Sequence, residues 1–144
     1  MNHIIVFDFN RTLYDPDHKT LIPHAQEILD AARAKGYTLV LLSKAGPDRE
    51  QLVKENGLDG YFAETIFTGA KTHELFEQIA EHHQADKTRS YVIGDRAQGE
   101  IKHGHEGGWN TIWLKAGRFE DELPDPDKKP DYIISNLDEA LRII

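Results

Sequence analysis

The chain of 144 residues contains no cysteine, which excludes a disulfide framework, a thiolate zinc site and thiol catalysis. Any chemistry must therefore come from oxygen and nitrogen groups. No apolar run approaches the ~20 residues of a membrane helix. The N-terminus has only a few apolar residues, with no basic flank and no small-residue cleavage site, so a cytoplasmic protein without membrane contact is expected. Positive charge is also scarce: 17 Lys and Arg stand against 25 Asp and Glu, a formal net charge of -8. Nucleic-acid binders usually carry a basic face, so this balance argues against such a partner. It leaves room for a small phosphorylated substrate held with a divalent cation. Internal repeats and low-complexity tails are absent, and the length suits one domain with a real core rather than two.

What is present is an alternation of short apolar strands and helices. Ile4-Ile5-Val6-Phe7 reads as an interior strand, with Asp8 at its carboxyl end. Pro23 to Lys35 has Ile28, Leu29 and Ala32 at helical spacing, with Pro near its start and Gly36 past its end. Thr38 to Leu42 is a strand, Asp48 to Asn56 a short helix, Thr65 to Phe67 a brief strand and Thr72 to His83 a helix. Ser90 to Ile93 is a strand, Gln98 to about Glu106 a helix, and Thr111 to Leu114 and Tyr132 to Ile134 are strands. A capped helix starts at Ser135 or Asn136. Lys115 to Pro130 reads as a long loop. Such alternation implies an α/β fold, a Rossmann-like three-layer α/β/α sandwich around a central parallel sheet.

Strand ends are where such sheets aim side chains at ligands, and four of them carry polar residues in a recognisable order. Asp8-Phe9-Asn10-Arg11-Thr12-Leu13 follows the first strand, Ser43 ends the second, Lys71 precedes a helix, and Gly94-Asp95 ends the third full strand. In this order the segments resemble the haloacid dehalogenase (HAD) superfamily, whose nucleophile motif is Asp-x-Asp-x-Thr-Leu. The resemblance covers nearly the whole chain. It implies a HAD-like hydrolase, a magnesium-dependent phosphatase working through an aspartyl phosphate. By it Asp8 is the nucleophile, Ser43 and Lys71 bind the phosphoryl group, and Mg2+ is held by Asp8, Asp95 and the backbone carbonyl of Asn10. Glu100 takes the place of a second acid, expected on a helix surface or reaching the ion only through water.

One position departs from the family pattern: Asn10 stands where the second Asp belongs. In ordinary members that Asp protonates the leaving group and then activates water, work worth about 10²–10⁴ in rate. The implied enzyme is therefore attenuated. A phosphate-binding or regulatory module without turnover, or a receiver-like domain phosphorylated on Asp, are the alternatives. The gaps from Leu13 to the second strand (one loop and one helix) and from Ser43 to Lys71 are too short for an inserted cap domain, so residues 1–144 read as a single capless domain. Capless members imply a large or macromolecular phosphorylated substrate, or a site covered by a neighbouring subunit of a homo-oligomer. Arg11, Tyr14, His18, Lys44, Arg96 and Arg118 are candidate rim residues. The eight histidines include His82-His83 and His103 with His105, spacings that do not put both rings on one helix face, so solvated histidines are expected. Gly69-Ala70-Lys71-Thr72 lacks the glycine a phosphate-binding P-loop needs.

Overall fold

The computed structural model describes residues 1–144. In chain order its elements are β1 (Ile4–Phe7), β2 (Tyr14–Asp15), β3 (Thr20–Leu21), α1 (Ala25–Ala34), β4 (Thr38–Lys44), α2 (Arg49–Glu55), β5 (Glu64–Thr68) and α3 (His73–His82). Then follow β6 (Tyr91–Gly94), α4 (Lys102–Glu106), β7 (Asn110–Leu114) and β8 (Tyr132–Ile134). All four residues of β1 are buried, so it must sit inside a sheet with both faces covered. It does: the six-stranded parallel sheet runs β5-β4-β1-β6-β7-β8, with β4 and β6 hydrogen-bonded to β1 on either side.

Alternation along the strands divides the core into two layers. Ile5 and Phe7 face a layer shared with Ile28, Leu29 and Ala32 of α1, Val53 of α2 and Leu137 and Ala140 near the C-terminus. Ile4 and Val6 face the other, built with Phe76 and Ile79 of α3 and with Ile101, Trp109 and Trp113. The three-layer α/β/α architecture read from the sequence is the one observed. No helix is long and apolar enough to cross a membrane.

Four local features differ from the sequence reading. The stretch after Leu13, expected as a loop, contains the antiparallel pair β2 and β3; two residues per strand are too few to leave a periodic signal. The helix expected from Gln98 starts with a π-turn over Ala97–Ile101 that kinks at Gly99, and becomes α-helical only from Lys102. The last element is a 3-10 helix, Leu137–Arg142, whose start is held by Glu139 reaching back to the Asn136 amide at 3.0 Å. The Lys115 to Pro130 loop holds a 3-10 turn at Gly117–Phe119. It is pinned to the rest by the Arg96–Glu122, Lys102–Asp125 and Lys128–Glu106 ion pairs.

Phe76 is fully buried and meets Trp109 edge-on, with ring centroids 6.2 Å apart. Truncation there leaves a cavity between α3 and the sheet. Phe76→Ala is expected to lower stability by about 3–5 kcal/mol, read as a lower denaturant midpoint at an unchanged slope.

Candidate active site

β1 delivers Asp8 to the sheet edge because one further backbone bond, from the Asp8 amide to the Ile93 carbonyl (3.0 Å), continues its pairing past Phe7. Its carboxylate is buried and held at both oxygens: Oδ1 accepts from Lys71 Nζ at 2.5 Å and Oδ2 from Thr12 Oγ1 at 2.9 Å. Neighbouring β6 delivers Asp95, whose carbonyl accepts from the Trp113 indole at 2.9 Å. Lys71 arrives from the far side of the sheet, on the link between β5 and α3. That helix starts where Thr72 Oγ1 accepts from the Leu75 amide, and Lys71 lies just before this cap.

Glu100 is the main departure from expectation. Instead of lying on a helix surface it is buried, with Oε1 accepting from Lys71 Nζ at 2.9 Å and Oε2 from the Arg96 amide at 2.8 Å. The kink at Gly99 turns the side chain back over the end of β6. Only glycine fits at position 94, because a Cβ there would collide with the Cγ and carboxyl carbon of Glu100. The Gly of the Gly-Asp pair thus seats a carboxylate six residues on. Sequence spacing alone does not reveal this, since a helix started at Gln98 would aim position 100 elsewhere.

Oxygens of Asp8, Asp95 and Glu100 lie within 4.8 Å of one another, and Lys71 is the cation that bridges two of them. Burial and the neighbouring Asp8 and Glu100 charges push the Asp95 carboxyl up to about 9. Burial likewise raises Glu100, to about 7, against the opposing pull of Lys71. Burial alone would lower Lys71, but Asp8 and Glu100 outweigh it and hold the ammonium above its ordinary range.

The donor set fits a hard divalent cation. Asp95 Oδ2 is buried without a hydrogen-bond partner, the charge of three carboxylates exceeds that of one ammonium, and all donors are oxygens. The Asn10 carbonyl is also free, since the turn directs the Thr12, Leu13 and Tyr14 amides to Phe9 and the Arg11 amide to Tyr14. Asp8 and Asp95 could hold the ion, with the Asn10 carbonyl beside them; Glu100 is engaged by Lys71 and the Arg96 amide.

The remaining sequence candidates separate. Asn10, Arg11, Lys44, Arg96 and Arg118 line a cavity of about 430 Å³ above Asp8, together with Lys71 and Asp95. Ser43 does not: it is fully buried at the end of β4 and its hydroxyl donates to the Lys44 carbonyl at 3.1 Å. Phosphate contact would need that hydroxyl to rotate. Tyr14 is not a rim residue either, because its ring is buried and stacked on Phe9 with centroids 5.2 Å apart. His18 lies outside the cavity, exposed and paired with Asp15 at 2.7 Å. His83 is not solvated: it is largely buried and bonded to Glu64 at 2.7 Å, near the opposite sheet edge from Asp8. Position 83 caps α3 outside the helix, so the spacing rule for helix faces does not apply to it. Thr12, Trp113 and Gly94 were missed as supports of the site. Thr12 and Gly94 had a signal, their places in the Asp-x-Asn-x-Thr segment and the Gly-Asp pair, and Trp113 had none.

Residues 67–140 match a family model described as HAD-hydrolase-like. The glyceraldehyde 3-phosphate phosphatases of Pyrococcus furiosus and Pyrococcus abyssi are 21% and 25% identical to the chain over 129 residues, 85% of its length. That alignment takes in 54% of each, so the chain spans about half the length of the curated relatives it matches. The crystal structure of a HAD phosphatase from Thermococcus onnurineus superposes with a TM-score of 0.80 at 15% identity, covering 99% of this chain and 97% of that one. At such identity it shows the shared fold.

The raised carboxyls give a metal-free protein a defined pH response. A carboxyl whose folded value lies above its unfolded value of about 4 stabilises the fold below that value, and the benefit is lost as pH rises through the folded value. In chelator, melting temperature should fall between about pH 5 and 9, by about 3 °C for each kcal/mol lost. Magnesium, or Asp95→Asn, should flatten the decline. An equally steep decline in Asp95→Asn would show that Asp95 is not its source.

Proposed function

Since this chain belongs to the HAD-like hydrolase family, we propose that it is a magnesium-dependent phosphomonoesterase that transfers the phosphoryl group to Asp8 and works slowly on poor leaving groups because position 10 is an amide. The observation that carries the reading is the buried Asp8–Lys71 contact at 2.5 Å at the floor of an open cavity. A carboxylate attacks a phosphate dianion only when cations offset their repulsion. Magnesium on Asp8, Asp95 and the Asn10 carbonyl would supply that positive charge against the phosphoryl oxygens.

The chain's own residues account for the rest. Thr12 and Lys71 fix the Asp8 carboxylate so that one oxygen lone pair faces the incoming phosphorus. As the new P–O bond to Asp8 forms, the bond to the substrate alcohol breaks and the alkoxide departs with the electron pair. Lys71 stays charged throughout, because Asp8 and Glu100 hold its proton. Glu100 positions Lys71 and ties it to the Arg96 amide. Asn10 lines the cavity and can donate a hydrogen bond to the leaving oxygen, but an amide delivers no proton at neutral pH. Water must then protonate the alkoxide and, unassisted, hydrolyse the aspartyl phosphate.

Between Ser43 and Lys71 the chain holds only α2, a 3-10 turn and β5, which supports a domain without an inserted cap and a site open to solvent. Small esters bury little surface there, so tight binding calls for a larger phosphorylated substrate or a neighbouring subunit over the site. The second reading, a phosphate-binding module without turnover, is favoured by Asn10 itself.

An aryl ester such as p-nitrophenyl phosphate, whose phenolate leaves without a proton, should phosphorylate Asp8, and alkyl esters should lag. Asn10→Asp should raise alkyl-ester turnover by about 10²-fold or more while magnesium affinity, measured by calorimetry, stays nearly constant. Asp8→Asn should abolish both activities and the acid-stable phosphoprotein. If neither the parent nor Asn10→Asp turns over or becomes phosphorylated, the module reading replaces the enzyme.

A further inference from the structure

Charge is distributed over the cavity quite differently from the rest of the molecule. Acidic side chains outnumber basic ones by 25 to 17 in the whole chain. Around the cavity the order reverses: its only carboxylates are Asp8, Asp95 and Glu100, already gathered with Lys71 at the floor, while Arg11, Lys44, Arg49, Arg96 and Arg118 form the walls. Arg96 and Arg11 are held by Glu122 and Asp17. Lys44, Arg49 and Arg118 enter no ion pair with the chain's 25 carboxylates. A single phosphoryl group answered by Lys71 and a divalent ion does not require this many further cations. Without another anion, like charges are left facing one another across the cavity.

The place for that anion follows from a second cavity of about 640 Å³ between the β2–β3 hairpin and the C-terminal 3-10 helix, lined by Ile22, Leu114, Ala116 and Leu137 and also by Asp15 and Asp17, whose carboxylates are already paired with His18 and Arg11. Only Arg11 and Arg118 line both cavities. A leaving group running from Asp8 toward this more apolar space therefore passes these two side chains. Arg118 is exposed and free of carboxylates, its guanidinium carbon 5.4 Å from the centroid of the Phe119 ring, over which Arg96 also lies at 3.9 Å. A guanidinium seated on a ring loses less freedom when it closes on a carboxylate or phosphate, with which it forms paired hydrogen bonds.

We propose that Arg118, with Arg11 beside it, binds a second anionic group on the leaving alcohol, so that the preferred substrates are phosphomonoesters carrying a further carboxylate or phosphate. The proposal rests on the phosphatase reading for its reaction and on the cavity walls for its specificity. The cationic rim would also draw such multiply charged substrates to a molecule that is otherwise acidic.

The test compares three matched esters with magnesium: propyl phosphate, the phosphate ester of 3-hydroxypropionate, and 1,3-propanediol bisphosphate. The two anionic esters are expected to exceed propyl phosphate in kcat/KM by about tenfold or more, the effect of a charge-assisted hydrogen bond. Which of the two leads tells carboxylate from phosphate. Arg118→Gln should cut the preference to under about threefold, Arg118→Lys should restore part of it, and Arg142→Gln, far along the chain, should keep it in full. Calorimetry of the same compounds on Asp8→Asn separates binding from turnover. If the parent hydrolyses nothing, yet Asp8→Asn binds the bisphosphate more tightly than propyl phosphate and loses that margin with Arg118→Gln, the phosphatase reading fails and the anion site stands. Equal turnover of all three esters overturns the anion site and leaves the phosphatase reading intact. A preference that survives Arg118→Gln overturns the assignment to Arg118.

Discussion

One ammonium group, Lys71, is the constraint around which the carboxyl edge of the sheet is organised. Three carboxyls are buried there within 4.8 Å of one another, and Lys71 bridges two of them. Buried charge of one sign is strongly unfavourable unless paired and hydrogen-bonded. The surroundings show how the imbalance is handled: Thr12 and the Arg96 amide take up the second oxygens of Asp8 and Glu100, and Asp95 is left with a buried oxygen that nothing in the chain satisfies. Burial first, and the neighbouring carboxylates after it, raise Asp95 and Glu100, and with the unsatisfied oxygen they mark a place suited to a cation.

The fold serves this cluster by bringing distant segments to one edge. Asp8 and Asp95 come from adjacent parallel strands, Lys71 from the opposite half of the sheet and Glu100 from a kinked turn that depends on glycine at position 94. The long loop after β7 then closes over the same edge, since Arg96 clasps Glu122 and lies on Phe119. Floor and wall are therefore mechanically linked: Arg96 meets Glu100 with its amide and the loop carrying Arg118 with its side chain.

Asn10 sits where these two layers meet, lining the cavity with an amide and leaving its carbonyl free. On the phosphatase reading proposed above, an amide in place of a carboxylate takes away a proton carrier and leaves the backbone carbonyl as it was. On that reading, charge stabilisation, which the buried cluster would supply, is separated from acid–base catalysis, which an amide would not.

Local chemistry was enough to read much of this from the amino-acid order. Short β-branched runs and helix punctuation located the sheet strands, and Asp8, Asn10, Lys71 and Asp95 were legible because each follows a strand or precedes a helix in a known order. The role of Glu100 was not, because it depends on a π-turn and on a glycine six residues earlier, and no periodicity encodes a kink. Tyr14 was misplaced as a rim residue, since its ring turns inward onto Phe9, and His18 lines the second cavity rather than the one above Asp8; a two-residue hairpin decides both. His83 was misread for a similar reason, its partner Glu64 being supplied by a strand 19 residues away. The sequence by itself determined the order of the sheet strands, the central strand and which polar residues stand at its carboxyl edge, all of which rest on local propensity and burial. Only the tertiary structure decided how many carboxylates share one lysine and which arginines line both cavities, because those depend on side chains from segments that meet only once the sheet has formed.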